Sequence, residues 1–261
     1  MSFKFHPFHI VSNSPWPLLS SLNISILMIS ILYMIKYKIM SMLMFMFLSM
    51  ILNSYLWWRD VIRESTMIGD HTKSVMKSLK ISMLLFILSE IFFFLSFFWS
   101  YFHNMLSPDM NIGMLWPPMN ILSFNPYQIP LLNTIILISS GITITWTHHN
   151  IFIGNLKKMI YSMMITIMLG FIFLMFQLYE YNMAPFSMND SIYGNIFFIA
   201  TGFHGLHVLI GMIYLIVCMN RILNLQINAN HHISFELAAW YWHFVDVVWL
   251  FLFLIIYWWN Y

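Results

Sequence analysis

Charge is scarce in this sequence: Asp, Glu, Lys and Arg make up 8% of its 261 residues, about a third of the share usual in a soluble domain. With 61% of the residues hydrophobic, a water-soluble fold does not fit. A single cysteine, Cys218, excludes an internal disulfide framework and any multi-cysteine metal or iron–sulfur site. Eleven Lys and Arg against nine Asp and Glu give no pull toward a nucleic acid or an acidic substrate. No H-E-x-x-H, nucleophile elbow or P-loop occurs, so hydrolytic and nucleotide-driven activities have no anchor. The first residues lack the compact apolar core and small-residue cleavage site of a signal peptide, and the N-terminus is expected to be retained. There is no internal repeat to support an inverted-repeat transporter. Arg (three) and Ala (five) are scarce while Met (24) and Phe (25) are abundant, a bias that AT-rich coding, as in an organelle genome, would produce.

What is present is a series of apolar stretches. A hydrocarbon core about 30 Å thick takes about 20 helical residues at 1.5 Å each. Seven stretches reach that length, near Leu18 to Ile35, Ile39 to Trp58, Leu79 to Phe102, Ile129 to Thr147, Met159 to Tyr179, Tyr193 to Met219 and Glu236 to Trp259. The expected fold class is all-α: one polytopic transmembrane domain over residues 1–261 with seven spanning helices.

Alternating loops sort the cations. Lys4, Arg59, Arg63, Lys73, Lys77, Lys80, Lys157, Lys158 and Arg221 fall on one side and only Lys36 and Lys38 on the other. The positive-inside rule puts the first group and the N-terminus on the cytoplasmic or matrix side. The opposite loops carry Asp109, Glu180 and Asp190. Trp57, Trp58, Trp146, Trp240 and Trp242 are expected at the positive interface, and Trp99, Trp116, Trp258 and Trp259 at the other, as aromatic belts.

Ionisable residues inside a span are costly and functional by default. Those expected there are Glu90, Asp246, His204, His207 and His243. Counted from the span ends, Glu90, His207 and Asp246 lie about 16, 18 and 15 Å deep, in one layer near the bilayer middle. Glu90 is expected to turn inward, within hydrogen-bonding reach of His207 or another polar group of the sixth helix. Either these groups satisfy one another as fixed structural bonds, or they handle protons. The eleven histidines scatter over helix ends and loops and do not assemble into a haem or copper site, so no metal ligand is expected. In WWRDVIRE, Trp57 to Glu64, Arg59 and Arg63 are four residues apart and share a helix face. With His71, Arg221 and His231 on the same membrane side, this set suits either lipid phosphate or ordinary interface anchoring with Arg–carboxylate pairs.

The chain resembles the subunit III family of mitochondrial cytochrome c oxidase over effectively its full length. The resemblance is carried by HPFHIVSNSPWPL (His6 to Leu18), WWRDVIRE, SEIFFFLSFFWSYFH (Ser89 to His103), WPP (Trp116 to Pro118) and SGITITWTHH (Ser140 to His149). It continues in EYNMAPFSMNDSIYGNIFF (Glu180 to Phe198), TGFHGLHVLIG (Thr201 to Gly211) and WYWHFVDVVWLFLF (Trp240 to Phe253). Ser65 stands where the family usually has Gly, Asp70 where it usually has His, and SPDMNIGML replaces a Pro-Glu-Gly-Gly type loop; all are expected in loops.

The resemblance implies a two-helix pair (about 18–58) and a five-helix bundle (about 79–259) with a lipid-filled, V-shaped cleft between. It implies a non-redox subunit of the proton-pumping oxidase, with bound phospholipids and with haem and copper held by partner subunits. Subunit I would be its main contact, with subunit II and small accessory subunits in the same complex. Trp58, Arg59, Arg63, Glu64, His71, Arg221 and His231 would bind lipid, and His6 and His9 would belong to a proton-uptake surface. The implied location is the mitochondrial inner membrane, N-terminus in the matrix and C-terminus in the intermembrane space. Two other classes stand beside this one: an independent redox cytochrome, and a secondary transporter relaying protons through Glu90 and Asp246.

Overall fold

A computed structural model describes residues 11–110 and 113–260; His6 and His9 lie outside the described residues. Among the latter there are seven long helices: α1 (Trp16–Tyr37), α2 (Ser41–Arg63), α3 (Lys73–Leu106), α4 (Ile129–Ile153), α5 (Leu156–Asn182), α6 (Ile192–Leu223) and α7 (Ile233–Leu252). π-Helical turns, Glu64–Ile68 and Phe253–Trp258, prolong α2 and α7. All seven are long and apolar enough to cross a membrane, and the chain is a multi-pass, all-helical membrane protein.

The helices outrun their apolar stretches. α3 has 34 residues, about 51 Å at 1.5 Å each, against a hydrocarbon core of about 30 Å. Lys73, Lys77, His103, His148, His149, Lys157, Lys158 and Glu180, expected in connections, are therefore helical. Ser65, expected in a loop, sits in the π-turn after α2, its hydroxyl donating to the Ile62 carbonyl at 2.7 Å. Local chemistry sets the ends. Gly69 and Gly154 stop helices at φ 76°, a left-handed conformation that glycine adopts without steric cost. Asn155 then caps α5 by accepting from the Lys158 amide, so a two-residue connection makes α4 and α5 antiparallel neighbours.

The chain divides into two compact units, residues 1–79 and 80–261. In the first, α1 and α2 pair, with Ser30, Met46 and Asn53 buried. Trp16 Nε1 donates to Asp60 Oδ2 at 2.8 Å, tying the start of α1 to the end of α2. In the second, α7 is the central helix: Trp242, Val245, Trp249 and Leu252 are fully buried. Close helix approach rests on small residues, as in membrane bundles generally. A Cβ on Gly170 or Gly211 would come within 2.8 or 3.0 Å of the Trp242 ring. Trp242 is thus a core residue donating to Ser140 Oγ at 2.9 Å, which corrects its expected place in the interfacial belt. Hydroxyl pairs join α4 to α5: Thr143 with Thr166 and Thr147 with Ser162, each at 2.8 Å.

Candidate functional site

The polar groups of the second unit form three separate settings. In the first, α3 brings Glu90 and α6 brings His207 together, Oε2 to Nε2 at 2.9 Å. One turn back, the Phe203 carbonyl lies 2.6 Å from His207 Nδ1. A carbonyl only accepts, so Nδ1 carries a hydrogen, and a neutral ring then presents its Nε2 lone pair to the carboxyl. Two acceptors cannot face each other at 2.9 Å, so the pair holds one further proton, on the carboxyl or on the ring. The Phe93, Phe94 and Tyr241 rings surround the imidazole and keep the medium around the bond apolar. The geometry is that of a compact proton-holding site with a fixed acceptor on its far side.

In the second setting, Asp246 of α7 stands apart from the Glu90–His207 pair. It lies against α4, where a Cβ on Gly141 would be 2.9 Å from its Oδ2. His243 Nδ1 lies 3.8 Å from its Oδ2, beyond hydrogen-bonding distance, and Oδ1 is buried without a hydrogen-bond partner. His204 is fully buried, with neither ring nitrogen hydrogen-bonded. It is packed by the rings of Phe173 and Trp249. His204 and His207 share α6 yet stand in different surroundings.

The third setting escaped the sequence reading. Glu180, expected in a loop, is fully buried in the last turn of α5 and accepts from Tyr257 Oη at 2.6 Å. Beside it Tyr181 donates to Thr201 Oγ1 at 2.8 Å. A signal existed: Gly170, Phe173, Gln177 and Glu180 recur at helical spacing and are all buried, so the carboxylate continues a core-facing stripe.

The expected lipid-binding residues divide between the units. In the first, Trp58 faces outward, while Asp60, which was not among them, organises the arginines. Its Oδ1 accepts from Arg59 Nε and Nη2, both at 3.2 Å, and lies 3.6 Å from Arg63 Nη1. Arg63 remains half exposed and Glu64 opens the π-turn; His71 lies just beyond the turn, half-buried. In the second, Arg221 is 9% exposed and its Nε donates to Gln226 at 3.4 Å. His231 sits in the tight turn with Asn228 before α7.

Set beside known proteins, the chain matches the family described as Cytochrome c oxidase subunit III over residues 6–261. Its relatives include the "Cytochrome c oxidase subunit 3" of Locusta migratoria, 52% identical over 98% of this chain and 97% of the relative. That of Drosophila melanogaster is 52% identical with the same coverage, and that of Coturnix japonica is 48% identical over 100% of both.

Proposed function

Because this chain belongs to the cytochrome c oxidase subunit III family, and so is a subunit of that oxidoreductase complex, we propose that it is the complex's non-redox core subunit. It binds phospholipids and supports proton uptake and turnover stability of subunit I while electrons pass from cytochrome c to oxygen. Haem and copper belong to partner subunits; subunit I is the main contact, with subunit II and small accessory subunits alongside. The chain lies in the mitochondrial inner membrane with the positive loops and the N-terminus in the matrix and the C-terminus in the intermembrane space, as the sorting of cations favours. A lipid-filled cleft beside the pair α1–α2 suits the outward-facing apolar surface that these helices carry.

The observation that carries the proton role is the Glu90–His207 pair at 2.9 Å. A pair that must hold an extra proton in apolar surroundings, with a carbonyl fixing the ring, is suited to buffering proton delivery. Family membership favours this reading over an independent cytochrome or a secondary transporter. Glu90→Gln keeps the shape of the bond and removes the exchangeable carboxyl proton. The variant oxidase is expected to assemble, to start turnover at the normal rate, and to lose activity faster over successive turnovers and at raised pH. A pH profile and an inactivation rate equal to those of the unaltered oxidase would reduce Glu90 to a structural bond.

Headgroup binding in the first unit falls to Trp58, Arg59, Arg63, Glu64 and His71; in the second, Arg221 and His231 are taken as a separate headgroup contact. Arginine offers a planar donor fork to phosphate oxygens and tryptophan an amphipathic wall at headgroup depth.

A further inference from the structure

At the end of the second unit where α4 finishes and α7 starts, His148, His232 and Glu236 each bring one ligand atom within 4.8 Å of the others. His148 lies in the last turns of α4, His232 immediately before α7 and Glu236 in its first turn. No metal ligand is expected from the sequence, where His148 falls near a helix end, His232 in a polar segment and Glu236 at the start of the seventh span.

Hydrogen-bond arithmetic singles the cluster out. His232 Nδ1 is 3.3 Å from the Asn228 carbonyl, which can only accept, so Nδ1 carries the hydrogen and a neutral ring turns its Nε2 lone pair inward. That nitrogen lies 3.2 Å from Glu236 Oε1, a gap that only a proton or another cation can bridge. His148 Nε2 is buried without a hydrogen-bond partner, and the His232 side chain is 8% exposed. Three electron-pair donors thus converge in a place that calls for a cation. Part of the call is answered by Lys80, whose ammonium pairs with the other carboxylate oxygen of Glu236. The phenyl rings of Phe152 and Phe235 wall the histidines and keep bulk water from competing.

We propose that His148, His232 and Glu236 form a binding site for a divalent transition-metal ion of the zinc type, with the Lys80 ammonium as the competing internal cation. Two imidazoles and a carboxylate make a tetrahedral set with one open position, and imidazole nitrogen selects zinc over magnesium or calcium. Neighbouring ligand atoms of a tetrahedral zinc stand about 3.3 Å apart, given bonds of about 2.0 to 2.1 Å. The His232–Glu236 edge, at 3.2 Å, already has that length, and the His148 ligand atom lies within 4.8 Å of both others. The Asn228 carbonyl on His232 Nδ1 is the kind of outer partner that fixes the tautomer of a ligating histidine. Bound metal would staple α4 to α7 at the end of the bundle that bears Lys157, Lys158 and Arg221.

The test is equilibrium dialysis of radioactive zinc against chelator-treated oxidase carrying this chain, with magnesium in large excess. The unaltered complex is expected to bind one more zinc than the His148→Gln/His232→Gln double variant, whose assembly is checked by its subunit ratio and haem spectrum. Lys80→Met removes the competitor and should tighten that extra site at least tenfold. Equal zinc number and affinity in the unaltered and double-variant complexes would overturn the proposal and leave an ion-pair cluster only. Should the double variant fail to assemble, Lys80→Met decides: tighter binding supports the site, and unchanged binding overturns it.

Discussion

Glu90 Oε2 faces His207 Nε2 at 2.9 Å while His207 Nδ1 is held at 2.6 Å from the Phe203 carbonyl, so one ring joins the backbone of α6 to a carboxyl of α3. The consequence for stability follows from the cost of stranding a polar group away from water. His207→Ala leaves the carboxyl without this partner and is expected to destabilise more than Glu90→Gln, which can still hydrogen-bond. Interhelical bonds in membrane proteins couple by about 0.6 kcal/mol on average and about 1.7 at most. A double-mutant cycle on these two residues, read by detergent-driven unfolding, is expected to give a coupling in that range. A coupling of zero would mean that the bond adds nothing to packing.

Trp242 depends on two glycines. Gly170→Ala and Gly211→Ala would each set a methyl group against its ring, at 2.8 and 3.0 Å. The ring is fully buried and hydrogen-bonded to Ser140, so it cannot swing away freely. Each substitution is expected to cost about 1 to 3 kcal/mol by overpacking, and Trp242→Phe combined with either should recover part of the loss. The thermal midpoint of the chain within the oxidase measures both effects.

These contacts show what the sequence made legible. The seven spans, and the nearness of Glu90 to His207, follow from the thickness of hydrocarbon and the rise of a helix, which are properties of one segment at a time. Depth says nothing about azimuth, so Asp246, at much the same depth, turned out to face Gly141 of α4 instead. Span ends fared worse, because a rule based on apolar length stops a helix where hydrocarbon stops. α5 continues to Asn182 and carries Glu180 into the core, and Lys80, at the start of the expected third span, pairs with Glu236 of α7. Partners of that kind come from helices remote in the chain, and no single-segment pattern encodes them.

Asp190 closes the turn between α5 and α6. Its Oδ2 accepts from the Ser187 amide at 2.7 Å. Hydrogen bonds from Ser187 hold its pKa below the usual 3.8. A depressed carboxyl stabilises the fold above its unfolded pKa and loses that contribution as pH falls through the folded one. The turn is therefore expected to stay closed from neutrality down to about pH 4 and to loosen below that. Hydrogen exchange at the Ser187 amide should accelerate, beyond its intrinsic pH dependence, only under the more acidic conditions. Asp190→Asn should show no such acid-induced step.

Asp60 sets the charge that WWRDVIRE offers to a lipid. Arg59 and Arg63 are balanced by Asp60 and Glu64, and Asp60 accepts from Arg59 and Trp16 and forms an ion pair with Arg63. A cluster with no net charge attracts an anionic headgroup weakly, whatever its count of arginines. Asp60→Asn leaves a side-chain carbonyl to accept from Trp16, so the tie between α1 and α2 survives, while one positive charge is uncovered. A basic residue near an anionic surface contributes about 1 kcal/mol, so retention of anionic phospholipid by the oxidase is expected to rise about fivefold. Arg63→Ala should shift retention the other way, and both shifts should shrink at high salt, where charges more than about 10 Å apart are screened. Lipid phosphorus per complex, measured at two ionic strengths, reads the effect. If neither substitution changes it, retention at this end of α2 rests on Trp58 and acyl-chain packing, and the arginines serve the ion pair with Asp60 alone.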